Sequence, residues 1–327
     1  MLKWLLFIVF TIFFHAVPCN AAPPIPWWFS PTLGFLDLHA AYDMEHYPRA
    51  DVERQEGDLK LFRHRGFLNV PLSQSPDHEW SISASAGLED TSTTAVLPDT
   101  LEPFPGSLWN LRAGSTYRHR LDNAWIAGGA VSVGSPSDKP FHGFDETELQ
   151  ASLFLRTPHK QDNAWLFLIH FSNNREFLNY VPLPGIGYSF RPSRDFHAMV
   201  GVPFAWIQYA PFENVVLNAS YFPLRHVNTR LNVRILPKTW IFGGFQWTGN
   251  RYLRADRKDT DHRLFYYEKR AEGGFRLDLA ERVQLFLSGG YAFDRFYFEG
   301  KDYGDRGRNR LDINNGPFAA LRVNVAF

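Results

Sequence analysis

The motif of this 327-residue chain that suggests catalysis is His170-Phe171-Ser172-Asn173. Residues i and i+2 of a strand share a face. His170 could therefore take the proton of Ser172 and make its hydroxyl a nucleophile, the first step of ester hydrolysis. Glu176 and Asn179 are the candidates for the third group that would orient the imidazole. The same stretch also supplies the counter-argument. Trp165, Phe167, Ile169 and Phe171 form the more lipid-like face, which turns His170 and Ser172 inward. The simpler reading is an ordinary interior or rim pair.

Two further clusters carry charge. Arg112, Arg118, Arg230 and Arg234 fall on polar strand faces, together with Asn228 and Asn232. An unpaired row of such arginines would favour anionic solutes in a lumen. Pairing with inward acids such as Glu148 would instead hold the interior together, and that reading is favoured. Asp256, Asp259, Asp261 and His262, and separately Asp302 and Asp305, have side chains that ligate metals. Arg254, Arg257, Lys258, Arg306 and Arg308 are interleaved with them and oppose a divalent ion. These segments read as solvated loops, and no metal or cofactor is expected. The chain has no phosphate-binding glycine loop, dinucleotide fingerprint or zinc motif.

The elements that position these residues show period two. In 227–235, Val227, Thr229, Leu231, Val233 and Ile235 alternate with Asn228, Arg230, Asn232 and Arg234. Trp80, Ile82, Ala84, Ala86 and Leu88 alternate with serines and Gly87. Trp109, Leu111, Ala113 and Tyr117 alternate with Asn110, Arg112, Thr116 and Arg118. Such alternation marks strands with one apolar and one polar face. Segments 215–221 and 275–279 behave alike. Less regular apolar strands are expected at 33–42, 59–70, 124–134, 146–156, 164–172, 185–190, 196–208, 240–248, 263–270 and 283–298. No stretch after residue 22 sustains helical periodicity. The expectation is one antiparallel transmembrane barrel of roughly 12 strands, within about 10 to 14. Connections at 121–123, 191–195, 211–214, 236–239 and 280–282 are short and turn-like, whereas 89–107, 135–145, 249–262 and 299–310 are long and charged. Pro203 sits in an apolar strand and demands a bulge or break. Leu166, Leu168 and Met199 would point inward, which predicts a narrow or partly filled lumen.

Bulk composition agrees. Lys plus Arg and Asp plus Glu are 34 each, so the formal charge is zero and no nucleic-acid partner is expected. Aromatic residues reach 16 %, and a barrel uses them in its apolar band and interfacial girdles. Mean hydropathy is −0.28, and after the N-terminus no apolar run approaches the length of a helical span. Residues 1–22 read as a cleaved signal peptide, with Lys3, an apolar core at 5–14 and small residues at 20–22. The single cysteine, Cys19, falls within it. Residues 23–31 are too proline-rich for a regular element and read as an extended lead. Residues 32–327 form the barrel.

The last strand, Leu321-Arg-Val-Asn-Val-Ala-Phe327, sets Leu321, Val323, Val325 and Phe327 on one face. It resembles the closing strand of bacterial outer-membrane proteins, in which such a tail is read by the barrel assembly machinery. Asn173, Asn174, Arg175, Glu176 and Phe177, then Asn179, Pro184 to Tyr188, and Gly201 to Pro203, resemble an outer-membrane barrel family of unknown function over about residues 160–250. That resemblance implies a barrel and no activity. His170-x-Ser172-Asn173 is similar to the active strand of outer-membrane phospholipase A and lipid A deacylase. Together these predict a protein of the Gram-negative outer membrane, surrounded by lipids and lipopolysaccharide. The expected role is a narrow passive channel or a structural barrel without catalysis. A lipid hydrolase and a secreted soluble β-protein are the alternatives.

Overall fold

The structure, a computed structural model, describes residues 28–160, 162–175, 178–222 and 226–327. The segment read as a signal peptide and the first part of the lead lie outside the described residues. Seventeen strands follow: β1 (His39–Asp51), β2 (Asp58–Gln74), β3 (His78–Thr93), β4 (Ser107–Arg120), β5 (Ile126–Ser137), β6 (Glu148–His159), β7 (Asn163–Ser172), β8 (Leu183–Phe190) and β9 (Phe196–Val202). The remainder are β10 (Ala205–Phe212), β11 (Val215–Phe222), β12 (His226–Leu236), β13 (Thr239–Tyr252), β14 (Arg263–Ala280), β15 (Val283–Gly300), β16 (Arg310–Ile313) and β17 (Gly316–Ala326).

They make one antiparallel sheet that closes on itself. From β1 to β15 each strand pairs with its successor, β15 pairs with β17, and β17 returns to β1 with Tyr42 opposite Val323 and His46 opposite Ala319. The Phe327 N–H donates to the Leu38 carbonyl at 2.8 Å, sealing the seam at its end. The short β16 extends the line of β17 beyond Asn314 and Asn315, pairs with the far end of β15, and meets the chain just after β1 through a bridge between Ile313 and Val52. The ring therefore has 16 strands, and the expected count of about 12 is corrected. The alternating and apolar segments named from sequence already number sixteen, and two changes of boundary among them cancel. The apolar run 196–208 is two strands, broken by a tight turn with a cis peptide bond between Val202 and Pro203. In the other direction, 263–270 and 275–279 are one strand, β14.

One rim carries only brief connections, at 75–77, 121–125, 160–162, 191–195, 213–214, 237–238 and 281–282. The other carries the long loops 94–106, 138–147, 173–182, 253–262 and 301–309. Wall height varies strongly around the ring. Strands β8 to β11 have 7 or 8 residues each, whereas β14 and β15 have 18. On the tall side the wall leans across the mouth. The Leu253 N–H donates to the Pro136 carbonyl at 2.6 Å, and Asn250 Nδ2 donates to Glu89 Oε1 at 2.6 Å, so the top of β13 reaches β5 and β3. Beneath this fold-over Tyr47, Leu59, Leu61, Leu108, Tyr252, Leu264, Tyr266 and Tyr297 form an apolar core inside the barrel, joined by Ala95, Leu97 and Phe104 of the β3–β4 loop.

The outer face is an apolar belt, since strand side chains alternate between faces. Along β7, Ile169 is 50 % exposed while its neighbour Leu168 is 8 % exposed. Trp80, Ile82, Tyr117, Trp165, Phe167, Ile186, Val200, Tyr221, Leu231, Ile241, Phe275 and Leu287 share that outward surface. A single closed sheet with a greasy exterior differs from two stacked sheets, whose apolar faces meet each other.

Candidate functional site

A ring of charge spans the interior below the upper core. Arg63 donates to Glu45 at 2.8 Å, to Glu89 at 2.8 Å and to Glu268 at 3.2 Å, and all four side chains are buried. Arg270 donates to the second Glu45 oxygen at 2.9 Å and to Gln246 at 2.7 Å. Tyr47 adds a hydrogen bond to Glu268 at 3.0 Å, and Tyr297 one to Glu89 at 3.0 Å. A buried charge is tolerated when it is paired and its remaining hydrogen-bonding capacity is used. Here one arginine answers carboxylates from β1, β3 and β14, which ties together the arc of wall that runs β14, β15, β17, β1, β2 and β3.

The arginines singled out from sequence are each engaged. Arg112 is ion-paired with Glu148 and donates to Gln150 at 3.1 Å. Arg230 pairs with Glu272 at 2.5 Å and lies over the Phe242 ring, 4.4 Å from its centroid. Arg234 stacks over Trp240 at 5.5 Å and donates to the Glu213 carbonyl at 3.4 Å. Asn232 donates to the Val216 carbonyl at 3.3 Å. Asn228 lies opposite Ser220 of β11 in register and is half-buried. These residues do not converge on one point. Opposite-charge partners answer Arg112, Arg118 and Arg230, so an unbroken basic stripe does not describe the interior.

Arg118 has the role that sequence reading missed. Its guanidinium pairs with Glu79, and it also donates to the backbone carbonyls of Trp28 at 3.3 Å, Ser30 at 3.2 Å and Thr32 at 3.1 Å. Arg120 adds a bond to the Pro31 carbonyl at 3.1 Å. The lead is thereby held inside the barrel, having entered at the short-turn rim. There Gly34, at φ +83°, turns the chain past Ser75, whose carbonyl oxygen would lie 2.8 Å from any Cβ. Only glycine adopts that backbone beside so close a neighbour. The Gly34 N–H donates to Glu79 Oε1 at 2.6 Å.

Where the described part of the lead begins, Trp28 and Phe29 are 3 % and 1 % exposed. They fill an apolar cleft of Phe154, Ala164, Leu166, Leu168, Met199 and Phe204. The Trp28 ring stacks on Phe154 with centroids 5.2 Å apart and planes at 10°. Phe29 meets Phe154 edge-on at 5.8 Å and lies parallel to Phe204 at 6.3 Å. Beside this filled cleft, inward residues Gln150, His170, Asn218, Ser220, Asn228 and Arg230 keep partial solvent exposure. The interior therefore has an obstructed part and a wetted part.

His170 and Ser172 occupy the inner side of β7, opposite the exposed Phe167 and Ile169. His170 Nδ1 shares a hydrogen bond with Ser152 Oγ of β6 at 2.9 Å, rather than with Ser172. Ser172 Oγ accepts from the Asn174 N–H at 3.1 Å. Asn179 Oδ1 accepts from the Arg175 N–H at 2.5 Å, which engages it away from the imidazole. Glu176 lies outside the described residues. In the loops, Lys139 pairs with Asp256 at 2.7 Å, and Lys301 lies 3.5 Å from Asp259 and 3.3 Å from Asp261, so lysines hold the carboxylates of the acidic segment.

No family model and no curated protein sequence matches the chain. Among solved structures it is similar to an outer membrane channel from Pseudomonas putida F1, at 12 % identity over 94 % of this chain and 100 % of that one, with a TM-score of 0.39. It is also similar to the beta domain of the Bordetella autotransporter BrkA, at 14 % identity over 89 % and 99 % of the two chains and a TM-score of 0.30. A third likeness is to the translocator domain of the autotransporter NalP from Neisseria meningitidis, at 11 % identity over 91 % and 90 %, with a TM-score of 0.31.

Proposed function

We propose that this chain is an integral barrel of the Gram-negative outer membrane and a narrow passive channel that its own N-terminal lead obstructs. The observation that carries the reading is the pair Trp28–Phe29 seated inside a closed barrel whose exterior is apolar. The apolar belt supports a bilayer setting, because backbone polar groups can cross hydrocarbon only as helices or as closed sheets. The partly exposed inner residues Gln150, His170, Asn218 and Asn228 support a solute path beside the filled cleft. The paired arginines leave no unbroken row of one charge along that path, which argues against selection for anions. Lipids and lipopolysaccharide would contact the belt. Leu321, Val323, Val325 and Phe327 would present the tail to the barrel assembly machinery, with Arg322 on the other face ion-paired to Asp43.

The test is planar-bilayer conductance of the refolded full chain beside Trp28→Ala/Phe29→Ala. Wild type should conduct weakly or in rare openings. The variant should open to a several-fold larger unit conductance. A variant that folds, judged by heat-modifiable gel migration, yet stays electrically silent would refute the channel and leave a structural barrel.

A further inference from the structure

We infer that the cleft now filled by Trp28 and Phe29 is a binding site for uncharged aromatic solutes, with the lead as its built-in competitor. The inference rests on the channel reading and names the solute class of that same lumen. Around the cleft the interior is polar: Ser152, Arg156, Ser189, His197, Arg118 and Glu79 are all buried on inward faces. Against that background, six apolar residues from three strands and a turn converge on one spot.

The cleft is shaped for flat rings. Gly128 backs the Phe154 ring, and a Cβ at that position would fall 2.4 Å from Phe154 Cζ. Gly187 backs Phe204, where a Cβ would fall 3.1 Å from its Cζ. Each aromatic wall thus rests on bare backbone, which leaves its other face to a guest. The parallel stack on Phe154 and the edge contact of Phe29 are the favoured arrangements of aromatic pairs. Met199 contributes a polarizable thioether. Phe204 belongs to the two-residue turn between β9 and β10 and is held inward as the Gly201 N–H donates to its carbonyl at 2.9 Å.

The occupant is attached in a way that permits exchange. Arg118 and Arg120 grip the lead only through its backbone carbonyls. Inside the cleft two rings supply the apolar contact, and a free ring of benzene to indole size reproduces that contact. A charged guest would lose its hydration against carbon walls without a counter-charge, so the site selects neutral solutes.

The experiment uses the full chain in lipid nanodiscs with indole as the probe and zwitterionic tryptophan as the contrast, read by saturation-transfer difference NMR. Trp28→Ala/Phe29→Ala should bind indole saturably and at least about tenfold more tightly than wild type, with tryptophan binding neither protein. Adding Phe204→Ala to that variant should abolish the gain. A folded double variant with no gain in indole affinity overturns the inference. If the double variant does not fold, Trp28→Ala alone is read the same way and should show a smaller gain. The two readings fail separately. A variant that conducts but does not bind indole removes the site and keeps the channel, whereas one that binds indole but stays silent removes the channel and keeps the site.

Discussion

Arg63 donates to three carboxylates from three different strands, and it and its partners are almost fully buried. Removing its charge would leave Glu45, Glu89 and Glu268 facing one another with Arg270 and Arg65 as the nearest cations. Breaking a buried pair typically costs about 3–5 kcal/mol. Arg63→Met should therefore lower the unfolding midpoint in urea, followed by gel migration, and adding Glu89→Gln should restore part of the loss. An undiminished midpoint in Arg63→Met would contradict the tying role given to this residue. Ser172 offers the opposite expectation. Its hydroxyl accepts from a backbone N–H and is not joined to His170, so Ser172→Ala should leave the lipid composition of expressing cells unchanged. A change in acylation relative to wild type would revive the hydrolase. Which residues pair was only partly legible from sequence. Arg112 with Glu148 could be named because both fall on polar strand faces. Arg118 with the lead could not, because its partners Trp28, Ser30 and Thr32 lie some 90 residues upstream and offer carbonyls, which no side-chain pattern announces.

Alternation within a strand is a local property, and it was legible in β3, β4 and β12. Strand boundaries are set by the breaks, and one of these was hidden where strands are shortest. At Val202-Pro203-Phe204 the chain reverses in two residues with no Gly, Asn or Asp to mark the turn. The run therefore reads as one apolar strand with a misplaced proline. In a single strand with Met199 inward, Phe204 would face outward; the turn instead sends it inward against Phe29. The same short elements should be the least protected. β9 has 7 residues, and its pairing with β10 ends at Phe196 and Tyr209, whereas β14 and β15 pair along 18-residue strands. Local opening is easiest where few contacts must break together. Hydrogen exchange in nanodiscs should proceed through β9 and β10 before β14 and β15. Uniform protection around the ring would show that closure, rather than strand length, governs local stability.

Around the whole molecule the wall is uneven, and a bilayer must meet both sides of it. At about 3.3 Å per residue and a tilt near 40°, an eight-residue strand stands roughly 20 Å high, below the ~25 Å apolar band usual for such barrels. The 18-residue strands stand at roughly twice that height. On the low side Val200 and Val202 sit close to the upper edge of the wall and are 65 % and 68 % exposed, so apolar surface runs up to the β9–β10 turn without a polar collar. Hydrocarbon thicker than that wall must thin locally, at a fraction of a kcal/mol per ångström of mismatch. Folding into vesicles should accordingly be faster and more complete with 12- or 14-carbon acyl chains than with 18-carbon chains. The dependence should weaken when two residues of alternating character are inserted into each of β9 and β10, raising the wall by about 5 Å. The fraction of heat-modifiable protein against acyl length reports both effects. If the inserted variant keeps the thickness dependence of wild type, the low wall is not what the bilayer senses, and the mismatch must be sought at the tall strands that fold across the mouth.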